Sequence, residues 1–343
     1  MGGAERLVAS FFKYFPEADI YTSLYDQRQF PWLDDCHVYT TFIQKLPGKS
    51  FWRKHYVPLS PLGFEQFRFD NYDVVISISA GCAKGVITPV GVRHIGILLT
   101  PPRYQWDMIA RKRGNPVIRR IVDGYLRVWD TEAGLRPDTI IAISKYVQNR
   151  ISKIYRRKST VIYPGIDHSL WQYVPQVERE SFFLVVSRLY DYKRIDLAIE
   201  ACQALGRRLV IIGEGPEYRR LSAGTKNTIS FLGRLDDNAV RSHMQRCTML
   251  LFPGIEDFGL VPVEAMACGT PVVAYGRGGV AETVVDGKTG VLFHDQTVAD
   301  IVDGIKRSEG ILWDRDAIAK HAKMYDERVF IDNITSCITR ECS

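Results

Sequence analysis

The chain has 343 residues, of which 46% are hydrophobic and 24% charged, and its formal net charge is +6 at pH 7. This length exceeds that of one ordinary hydrophobic core, so the sequence predicts two domains of a globular protein. No apolar run approaches the ~18 residues needed to span a bilayer, and the first residues lack the pattern of a signal peptide, so we expect a cytoplasmic protein.

The first predicted element is a helix that no strand precedes. Doubly wound domains normally open with a strand that leads through a glycine-rich turn into a helix. Here Met1, Gly2 and Gly3 already form the expected turn, and apolar periodicity predicts a helix from about Ala4. We therefore expect the first strand of the N-terminal domain to be missing.

Short β-branched segments alternate with helix-like segments along the rest of the chain. This pattern is typical of parallel sheets covered by helices on both faces. It predicts an α/β fold of two Rossmann-like, doubly wound domains. The strands predicted in the first half are 74–78, 94–98, 139–143 and 160–163. Those predicted in the second half are 182–187, 209–212, 229–232, 249–252, 271–274 and 290–293.

A domain boundary is expected shortly after Tyr163. Pro164 and Gly165 interrupt the alternating pattern there. The predicted domains are residues 1–165 and 166–327. A last helix, at about 328–343, follows the second sheet and is expected to pack back on the first domain.

The basic residues are concentrated in one stretch of the first half. Between Arg103 and Lys158 there are 14 Lys and Arg against 5 Asp and Glu, with aromatic side chains such as Trp106 and Tyr125 interleaved. Such a surface attracts anionic lipid headgroups, at ~1 kcal/mol per basic residue near a membrane. We expect residues 103–158 to contact an anionic membrane surface peripherally, and an ordinary solvated surface is the alternative. Nucleic acid is not expected as a partner.

The strongest local signal is the segment Glu256–Glu264, in which seven residues separate the two glutamates. Pro262 and Gly269 suit the first turn and the exit of a short helix. The N-terminus of such a helix presents N–H donors and a positive dipole to a diphosphate. Glu256 is predicted to lie in the loop before the helix and Glu264 in its first turn, where both accept hydrogen bonds from sugar hydroxyls. The alternative is that Glu264 simply favours a helix N-terminus, although a true capping box would need Ser or Thr at position 261, where this chain has Val261.

A second signal is the pair Arg188 and Lys193, which follows the predicted strand 182–187. Both side chains are expected at the carboxyl edge of the sheet, where open α/β folds bind ligands. Paired cations at that edge stabilise a diphosphate leaving group as a glycosidic bond breaks. The alternative is an ordinary surface lysine at the start of a helix.

With these motifs the chain resembles the family-4 retaining glycosyltransferases, whose two Rossmann-like domains face each other across a cleft in the GT-B fold. Glu256 and Glu264 match the family's Glu-x7-Glu pattern, and the similarity runs from Gly2 to the C-terminal helix. The resemblance implies that residues 1–165 bind the acceptor and residues 166–327 the nucleotide sugar. It implies catalytic roles for Glu256, Arg188 and Lys193.

The resemblance also implies a set of donor-binding residues. Glu264 is expected to bind the ribose hydroxyls, and Glu256 those of the transferred sugar. Backbone N–H groups are expected to face the sugar and phosphates, and other residues line the base pocket or approach the sugar closely. These further donor-binding residues are Phe258, Gly259, Leu260, Gly2, Gly3, Gly233 and Leu235.

The segment Thr100–Asp107 resembles the Thr-Pro-x-Arg-Tyr-x-Trp-Asp stretch of a mannosyltransferase subgroup involved in bacterial surface polysaccharides. This implies GDP-mannose as donor and a polysaccharide or lipid-linked acceptor, with Arg103 and Leu99 on the acceptor side. The subgroup has histidine immediately before the threonine. Leu99 occupies that position here, and leucine neither donates a hydrogen bond nor titrates.

No metal or other cofactor is expected beside the sugar nucleotide, because Arg188, Lys193 and helix dipoles can neutralise the phosphates. The alternatives are a hexosyltransferase that uses a UDP-sugar and a non-catalytic homologue that binds sugar nucleotides. An NAD-dependent oxidoreductase is disfavoured, because Gly213 and Gly215 begin a dinucleotide fingerprint whose third glycine is replaced by Tyr218.

Overall fold

The computed structural model describes residues 3–33, 36–47, 56–107 and 115–342. The chain divides into two compact units. The first consists of Met1–Tyr163 with Ile331–Ser343, and the second of Pro164–Phe330. The sequence-based boundaries at 165/166 and 327/328 differ from these by two and three residues.

In the first unit a parallel sheet is flanked by helices. Its strands β3 (Val74–Ser79), β4 (Arg93–Leu98), β5 (Thr139–Ala142) and β6 (Thr160–Val161) pair in chain order over the described residues. All the pairings are parallel. The helices are α1 (Gly3–Tyr14), α2 (Ser60–Glu65), α3 (Arg103–Trp106), α4 (Pro116–Ala133) and α5 (Lys145–Tyr155).

Two short strands of this unit escaped the sequence prediction. β1 (Ile20–Thr22) and β2 (Val38–Thr40) form a separate parallel pair. Tyr21 lies opposite Tyr39, and their rings stack with centroids 4.7 Å apart. Three residues are too few to show the alternating pattern of a strand, so the sequence does not predict these two strands. The feature that distinguishes them is the aromatic contact between the paired strands, which is visible only in the structure.

The second unit contains a six-stranded sheet in the order β12-β11-β10-β7-β8-β9. This is the strand order of the doubly wound dinucleotide-binding fold. The strands are β7 (Phe183–Val186), β8 (Leu209–Ile212), β9 (Ile229–Phe231), β10 (Met249–Phe252), β11 (Val272–Tyr275) and β12 (Gly290–Phe293). The helices are α6 (Ile195–Leu205), α7 (Tyr218–Ser222), α8 (Asp237–Arg246), α9 (Leu260–Ala267), α10 (Val280–Thr283), α11 (Val298–Glu309) and α12 (Arg315–Ala322).

Burial explains why the strands of this sheet read as continuous apolar runs. Every residue of β8, β10 and β11 is buried, as expected for parallel strands covered on both faces. The hydrophobic core between sheet and helices includes Leu189, Ile195 and Ile305. Both faces of the sheet are therefore covered by packed side chains, and polar residues lie in the loops at the ends of the strands.

The segments that enter and leave the second unit are paired with each other. The Ile166 N–H donates to the Tyr325 carbonyl at 2.9 Å, and the Glu327 N–H donates to the Ile166 carbonyl at 3.0 Å. Gly165 makes this approach possible, because a Cβ on it would lie 2.5 Å from the Asp326 backbone. The last helix, α13 (Glu327–Cys342), follows directly. Among the helices that the structure describes, none is both long and apolar enough to cross a bilayer.

Candidate functional site

The carboxyl ends of β7 and β10 define a candidate site in the second unit. These two strands are neighbours, yet the chain leaves them toward opposite edges of the sheet, since β8 lies beyond β7 and β11 lies beyond β10. Loops that follow strands on either side of such a reversal diverge and leave a crevice between them. The loop after β7 carries Arg188 and Lys193, and the loop after β10 carries Glu256. The topology therefore brings these three predicted residues to one edge of the sheet.

Lys193 and Glu256 form an ion pair across this reversal. The Lys193 ammonium group pairs with Glu256 Oε1. The Lys193 side chain is only 8% exposed, whereas that of Glu256 is 31% exposed. The backbones of the two loops also meet, because a Cβ on Gly254 would lie 3.0 Å from both the Cα and the carbonyl oxygen of Lys193. Glycine at 254 thus allows the contact that places the lysine beside the glutamate.

Arg188 lies in a different environment from Lys193. Arg188 is exposed, and its guanidinium group lies 5.5 Å from the centre of the Tyr190 ring. The Lys193 ammonium group lies 4.9 Å from the centre of the Tyr192 ring. Tyr190 and Tyr192 are both partly exposed, at 41% and 37%. The sequence places both cations on one loop, and the structure buries only the second.

The helix that follows Glu256 begins at Leu260, after Gly259 in the left-handed region at φ 91°. A residue other than glycine would be strained at that turn. Glu264 is therefore the fifth helical residue, so its prediction in the first turn is wrong by one residue. It is 3% exposed, and the neighbouring Phe258 is equally buried and packs edge-on against Tyr325 at 5.7 Å. The loop and the start of α9 are fixed by packing.

Gly278 and Gly279, in the loop after β11, contact the backbone of the Glu256 loop. Glu256 bridges Gly278 in a parallel arrangement, and the Gly279 N–H donates to the Glu256 carbonyl at 2.9 Å. A Cβ on Gly278 would lie 2.3 Å from that carbonyl oxygen, and one on Gly279 would lie 2.3 Å from the Phe258 Cα. These contacts join the two glycines to the backbone of the Glu256 loop.

The other side of the reversal is organised by Gly213 and Gly233. The Gly213 N–H donates to the Gly233 carbonyl at 2.7 Å, which links the loop after β8 to the loop after β9. A Cβ on Gly213 would lie 1.9 Å from the Ser187 carbonyl oxygen. Gly233 has φ 67°, and Leu235 two residues later is half-buried. These loops lie along the same carboxyl edge as Arg188.

The predicted acceptor-side residues lie in the first unit, at the carboxyl end of β4. The Leu99 N–H donates to the Ser79 carbonyl at 2.9 Å, which continues the pairing of β3 and β4. Arg103 starts the short helix α3, with its guanidinium 3.9 Å from Asp107 and 5.9 Å from the centre of the Tyr146 ring. Gly3 is the first residue of α1 and not part of a turn. Gly2 lies outside the described residues.

Arg150, which no sequence motif indicated, contacts the segment that carries Arg103. Its guanidinium donates to the Thr100 hydroxyl at 3.1 Å and to the Pro101 carbonyl at 3.0 Å. It also pairs with the Asp107 carboxylate at 2.7 and 2.9 Å. One side chain from α5 therefore contacts both ends of the segment 100–107. No local pattern signals this, because the partners are more than 40 residues away in sequence.

A buried polar network lies next to this segment and was also missed. The Lys84 ammonium group pairs with Asp130 Oδ1 at 2.5 Å, and both residues are 1% exposed. Asp130 Oδ2 accepts hydrogen bonds from the Trp106 indole at 2.7 Å and the Tyr155 hydroxyl at 2.8 Å. Burial and the nearby carboxylate raise the pKa of Tyr155 well above its usual range, so its hydroxyl stays a donor. Asp130 thereby connects α3, α4 and α5.

No group of three or more His, Cys, Asp or Glu side chains in the described ranges is arranged to hold a metal ion. Asp314 and Asp316 are two carboxylates with one residue between them, but each is engaged by a neighbouring group of its own helix. Asp314 accepts from the Ala317 N–H at 2.9 Å and caps α12, and Asp316 pairs with Lys320 at 2.6 Å.

Comparison with protein families matches two models to the chain in succession. The model described as Glycosyltransferase Family 4 matches residues 1–170, and the model described as Glycosyl transferases group 1 matches residues 172–323. The junction between the two matches lies seven residues after the division between the compact units.

Curated relatives match shorter stretches. An uncharacterized glycosyltransferase of Methanocaldococcus jannaschii is 32% identical over 173 residues, which are 49% of this chain and 48% of the relative. A glycogen synthase of Mycobacterium tuberculosis is 30% identical over 57% of this chain and 50% of its own length. A GDP-mannose-dependent α-(1-6)-phosphatidylinositol monomannoside mannosyltransferase of the same species is 26% identical over 62% and 58%. The chain thus spans about half the length of the curated relatives it matches.

Solved structures share the fold at low identity. A sucrose-phosphate synthase from Thermosynechococcus elongatus superimposes with a TM-score of 0.71 at 15% identity, over 98% of this chain and 91% of that one. The Anabaena protein HepE, in complex with UDP, gives 0.70 at 19% identity, over 99% and 96%. These similarities establish the two-domain GT-B fold.

Proposed function

We propose that this chain, which belongs to the family-4 glycosyltransferases, transfers a hexose from a sugar nucleotide to a glycan or lipid-linked acceptor with retention of configuration. The observation that carries the proposal is the ion pair of Lys193 and Glu256 at the reversal of strand order. It combines a cation for a diphosphate and a carboxylate for sugar hydroxyls at the edge where this fold binds ligands.

The charges suit the departure of a nucleoside diphosphate. In the proposed reaction the bond between the anomeric carbon and the phosphate oxygen breaks, and the acceptor oxygen bonds to that carbon from the same face. The acceptor proton passes to the departing phosphate oxygen. Lys193 and Arg188 are proposed to stabilise the negative charge that develops on the diphosphate, together with the N-terminus of α9. These groups need no metal ion for that task.

Glu256 and Glu264 are proposed to position the donor. Glu256 Oε1 is engaged by Lys193, and a carboxylate has further acceptor sites on its second oxygen. Partial exposure of Glu256 lets a sugar hydroxyl reach that oxygen. Glu264 is proposed to bind the ribose hydroxyls, with backbone groups of Phe258, Gly259 and Leu260 near the phosphates. Gly233 and Leu235 are proposed to line the base pocket.

Mannose from GDP-mannose is the proposed donor sugar. The segment Thr100–Asp107 supports it through its likeness to a mannosyltransferase subgroup, and a relative named as GDP-mannose-dependent supports it further. Arg150 and Asp130 both form hydrogen bonds with this segment. Arg103 and Leu99 are proposed to lie on the acceptor side. The acceptor is proposed to be a polysaccharide or lipid-linked glycan, reached by peripheral contact of residues 103–158 with an anionic membrane surface on its cytoplasmic side.

Donor binding and turnover test the proposal separately. Calorimetry with GDP-mannose and UDP-glucose identifies the nucleotide, and release of GDP in the presence of octyl α-mannoside measures transfer. We expect GDP-mannose to bind and GDP release to depend on the mannoside. Glu256→Ala should abolish release, whereas Glu200→Ala, on the exposed face of α6, should not. Tight UDP-glucose binding without GDP-mannose binding would reject the donor, and binding of neither would reject the function.

A non-catalytic sugar-nucleotide-binding protein is the second candidate. It is favoured by Leu99, because leucine supplies neither a hydrogen bond nor a proton where the mannosyltransferase subgroup has histidine. This candidate predicts donor binding that Glu264→Gln weakens, with no product from any acceptor. Product formed by the unmodified chain, and not by Glu256→Ala, would eliminate it.

A further inference from the structure

A cleft of about 420 Å³ lies in the second unit, at the amino edge of its sheet. Met249 at the start of β10 borders it, together with Arg207 just before β8 and Trp313 between α11 and α12. Its volume falls within the ~300–1,000 Å³ range of clefts that hold drug-sized ligands, a class that includes a disaccharide. Because β10 runs from this cleft toward the loop that carries Glu256, the cleft and the candidate site lie at opposite edges of one sheet.

Hydrogen-bond donors and acceptors both line the cleft. Arg207 and Glu309 form an ion pair at 2.9 Å with side chains 48% and 30% exposed, so a ligand can reach the other guanidinium N–H groups and the second carboxylate oxygen. Arg315 donates to the Gly269 carbonyl at 3.0 Å, and a guanidinium group has five N–H donors in all. Ser308 also lines the cleft and is 1% exposed, and its hydroxyl has no hydrogen-bond partner in the part of the chain that the structure describes. The lining therefore suits a ligand that both donates and accepts.

Apolar side chains form the rest of the lining that a ligand can use. Trp313 lines the cleft and packs against the core of the unit, and its indole N–H donates to the Ser308 carbonyl at 3.0 Å. Leu312 beside it is fully exposed. The face of an aromatic ring carries partial negative charge, which attracts the C–H groups of a ligand. The cleft thus places an anchored indole ring and an exposed aliphatic side chain beside its hydrogen-bonding groups.

The charges of the lining favour a neutral ligand over an anion. Arg207 and Glu309 neutralise each other, and the guanidinium group of Arg315 is engaged by the Gly269 carbonyl just after α9. A phosphate in the cleft would meet the carboxylate of Glu309 as well as the guanidinium groups. A sugar carries hydroxyls that donate and accept, and its ring presents C–H groups. Sugar chemistry therefore matches both parts of the lining.

We propose that this cleft is a second sugar site, which binds a neutral hexose residue of a glycan. The sugar hydroxyls bond to Arg207 and Glu309, and the C–H groups of the ring contact Trp313. The proposal rests on the proposed function only for the source of the sugar, which is a distal residue of a polysaccharide acceptor. Such a site keeps a long acceptor on the protein between transfers. Binding itself requires neither a sugar nucleotide nor turnover.

The indole N–H resonance of Trp313 in heteronuclear NMR gives a readout specific to the cleft. Its loss in Trp313→Phe identifies it, and the full chain is then titrated with mannotriose in the absence of any sugar nucleotide. We expect a saturable shift of this resonance with a Kd of about 1 mM, as for a small ligand in an open site. Glu309→Gln should raise this Kd at least ~10-fold, because a charged acceptor is lost. Leu312→Ser should raise it ~3-fold or more, because less apolar surface leaves water.

Matched controls separate the cleft from folding and from catalysis. Glu17→Gln and Val90→Ser remove an exposed carboxylate and an exposed aliphatic side chain from the first unit, and both should leave the Kd unchanged. Leu312 is fully exposed, so Leu312→Ser should unfold at the same temperature as the unmodified chain. GDP release with octyl α-mannoside should also be unchanged in Leu312→Ser, because a single sugar reaches the transfer site without the cleft. Glu256→Ala should retain the shift of the Trp313 resonance.

Four outcomes would overturn the inference. The first is a Trp313 resonance that does not move at ~10 mM mannotriose, and the second is an equal Kd for Glu309→Gln and the unmodified chain. The third is a shift that inorganic phosphate produces and mannotriose does not, because the cleft would then bind anions. The fourth is a shift that disappears in Glu256→Ala, because the sugar would then bind only at the transfer site. The proposed function survives all four, and its own failure in the GDP release assay leaves the titration unaffected.

Discussion

The ammonium group of Lys193 pairs with the carboxylate of Glu256, and this contact joins the loop after β7 to the loop after β10. The two residues are 63 positions apart in sequence. They meet because the strands that precede them are neighbours at the reversal of strand order. The pair is thus a product of sheet topology, and it offers the most direct test of the site.

Lys193→Met should lower kcat/KM for the sugar nucleotide at least ~100-fold, because a fixed cation near a developing diphosphate charge is lost. Steady-state kinetics checks this, with urea unfolding as a measure of stability. Glu256 is partly exposed, so water can solvate it in the variant. Lys226→Met, at an exposed position, is the matched control. Equal turnover in the two variants would remove Lys193 from the site.

Glu256→Gln and Glu264→Gln should separate in their kinetics. Glu256→Gln should lower kcat, because an amide cannot retain the charge that pairs with Lys193 beside the transferred sugar. Glu264→Gln should chiefly raise KM for the donor, by about 10-fold or more, because a hydrogen bond to a charged group contributes ~1.5–3 kcal/mol. Initial rates over a range of donor concentrations measure both. A kcat effect of Glu264→Gln larger than its KM effect would contradict the assignment.

Gly278→Ala should disrupt the Glu256 loop. Gly278 has φ 81°, and a Cβ there would lie 2.3 Å from the Glu256 carbonyl oxygen, so backbone must move. We expect a loss of ~1–3 kcal/mol in unfolding free energy together with weaker donor binding. Gly124→Ala in α4 meets nothing within 4 Å and should stabilise by ~0.5–1 kcal/mol. Urea unfolding and calorimetry measure the two variants. Normal donor binding by Gly278→Ala would show that the loop tolerates this movement.

Asp130→Asn should destabilise the first unit by ~3–5 kcal/mol, because Lys84 is left as a buried charge without its counterion. Thermal unfolding followed by circular dichroism measures the loss. The double variant Lys84→Met with Asp130→Asn should recover part of it, because the unpaired charge is removed. The single variant Lys84→Met completes the comparison. If the loss in the double variant equals the sum of the losses in Asp130→Asn and Lys84→Met, the two residues are not coupled.

His94 should make stability depend on pH. Burial is the main cause that lowers the pKa of His94 from 6.5 to about 4. Between pH 6.5 and about pH 4, the unfolded chain therefore binds a proton on His94 that the folded chain does not bind. Stability from the neutral ring is present above pH 6.5, falls as the pH drops toward 4, and levels off below it. By pH 4.5 the loss should be about 2 kcal/mol.

Urea unfolding at pH 7 and pH 4.5 measures this loss, with His94→Gln as the comparison. His94 Nε2 lies 2.8 Å from the Ser77 hydroxyl, and Gln retains a polar group for that contact. The difference between the two pH values should be about 2 kcal/mol smaller in His94→Gln, since carboxylates titrate equally in both proteins. An identical difference would mean that His94 titrates normally in the fold.

Sequence alone determined the α/β class and most strands of both units. Buried parallel strands need uninterrupted apolar residues, so Leu209–Ile212, Met249–Phe252 and Gly290–Phe293 could be read to the residue. β1 and β2 could not, because three-residue strands have no period and their stability comes from the stacking of Tyr21 on Tyr39. The Glu256–Glu264 segment was recognisable because the signals for its helix, Pro262 near the start and Gly269 after the end, lie close together in the sequence.

Only the tertiary structure decided which residues act together. Three contacts join residues more than 40 positions apart: the Lys193–Glu256 pair, the Arg150 contacts to the segment 100–107, and the Lys84–Asp130 ion pair. The exposure of Ile121 and Val128 on α4 was equally unreadable from the sequence, because apolar periodicity in a helix does not tell a core face from an outer one. A periodic sequence specifies the element and its two faces, and the packing of the whole chain determines which face meets water.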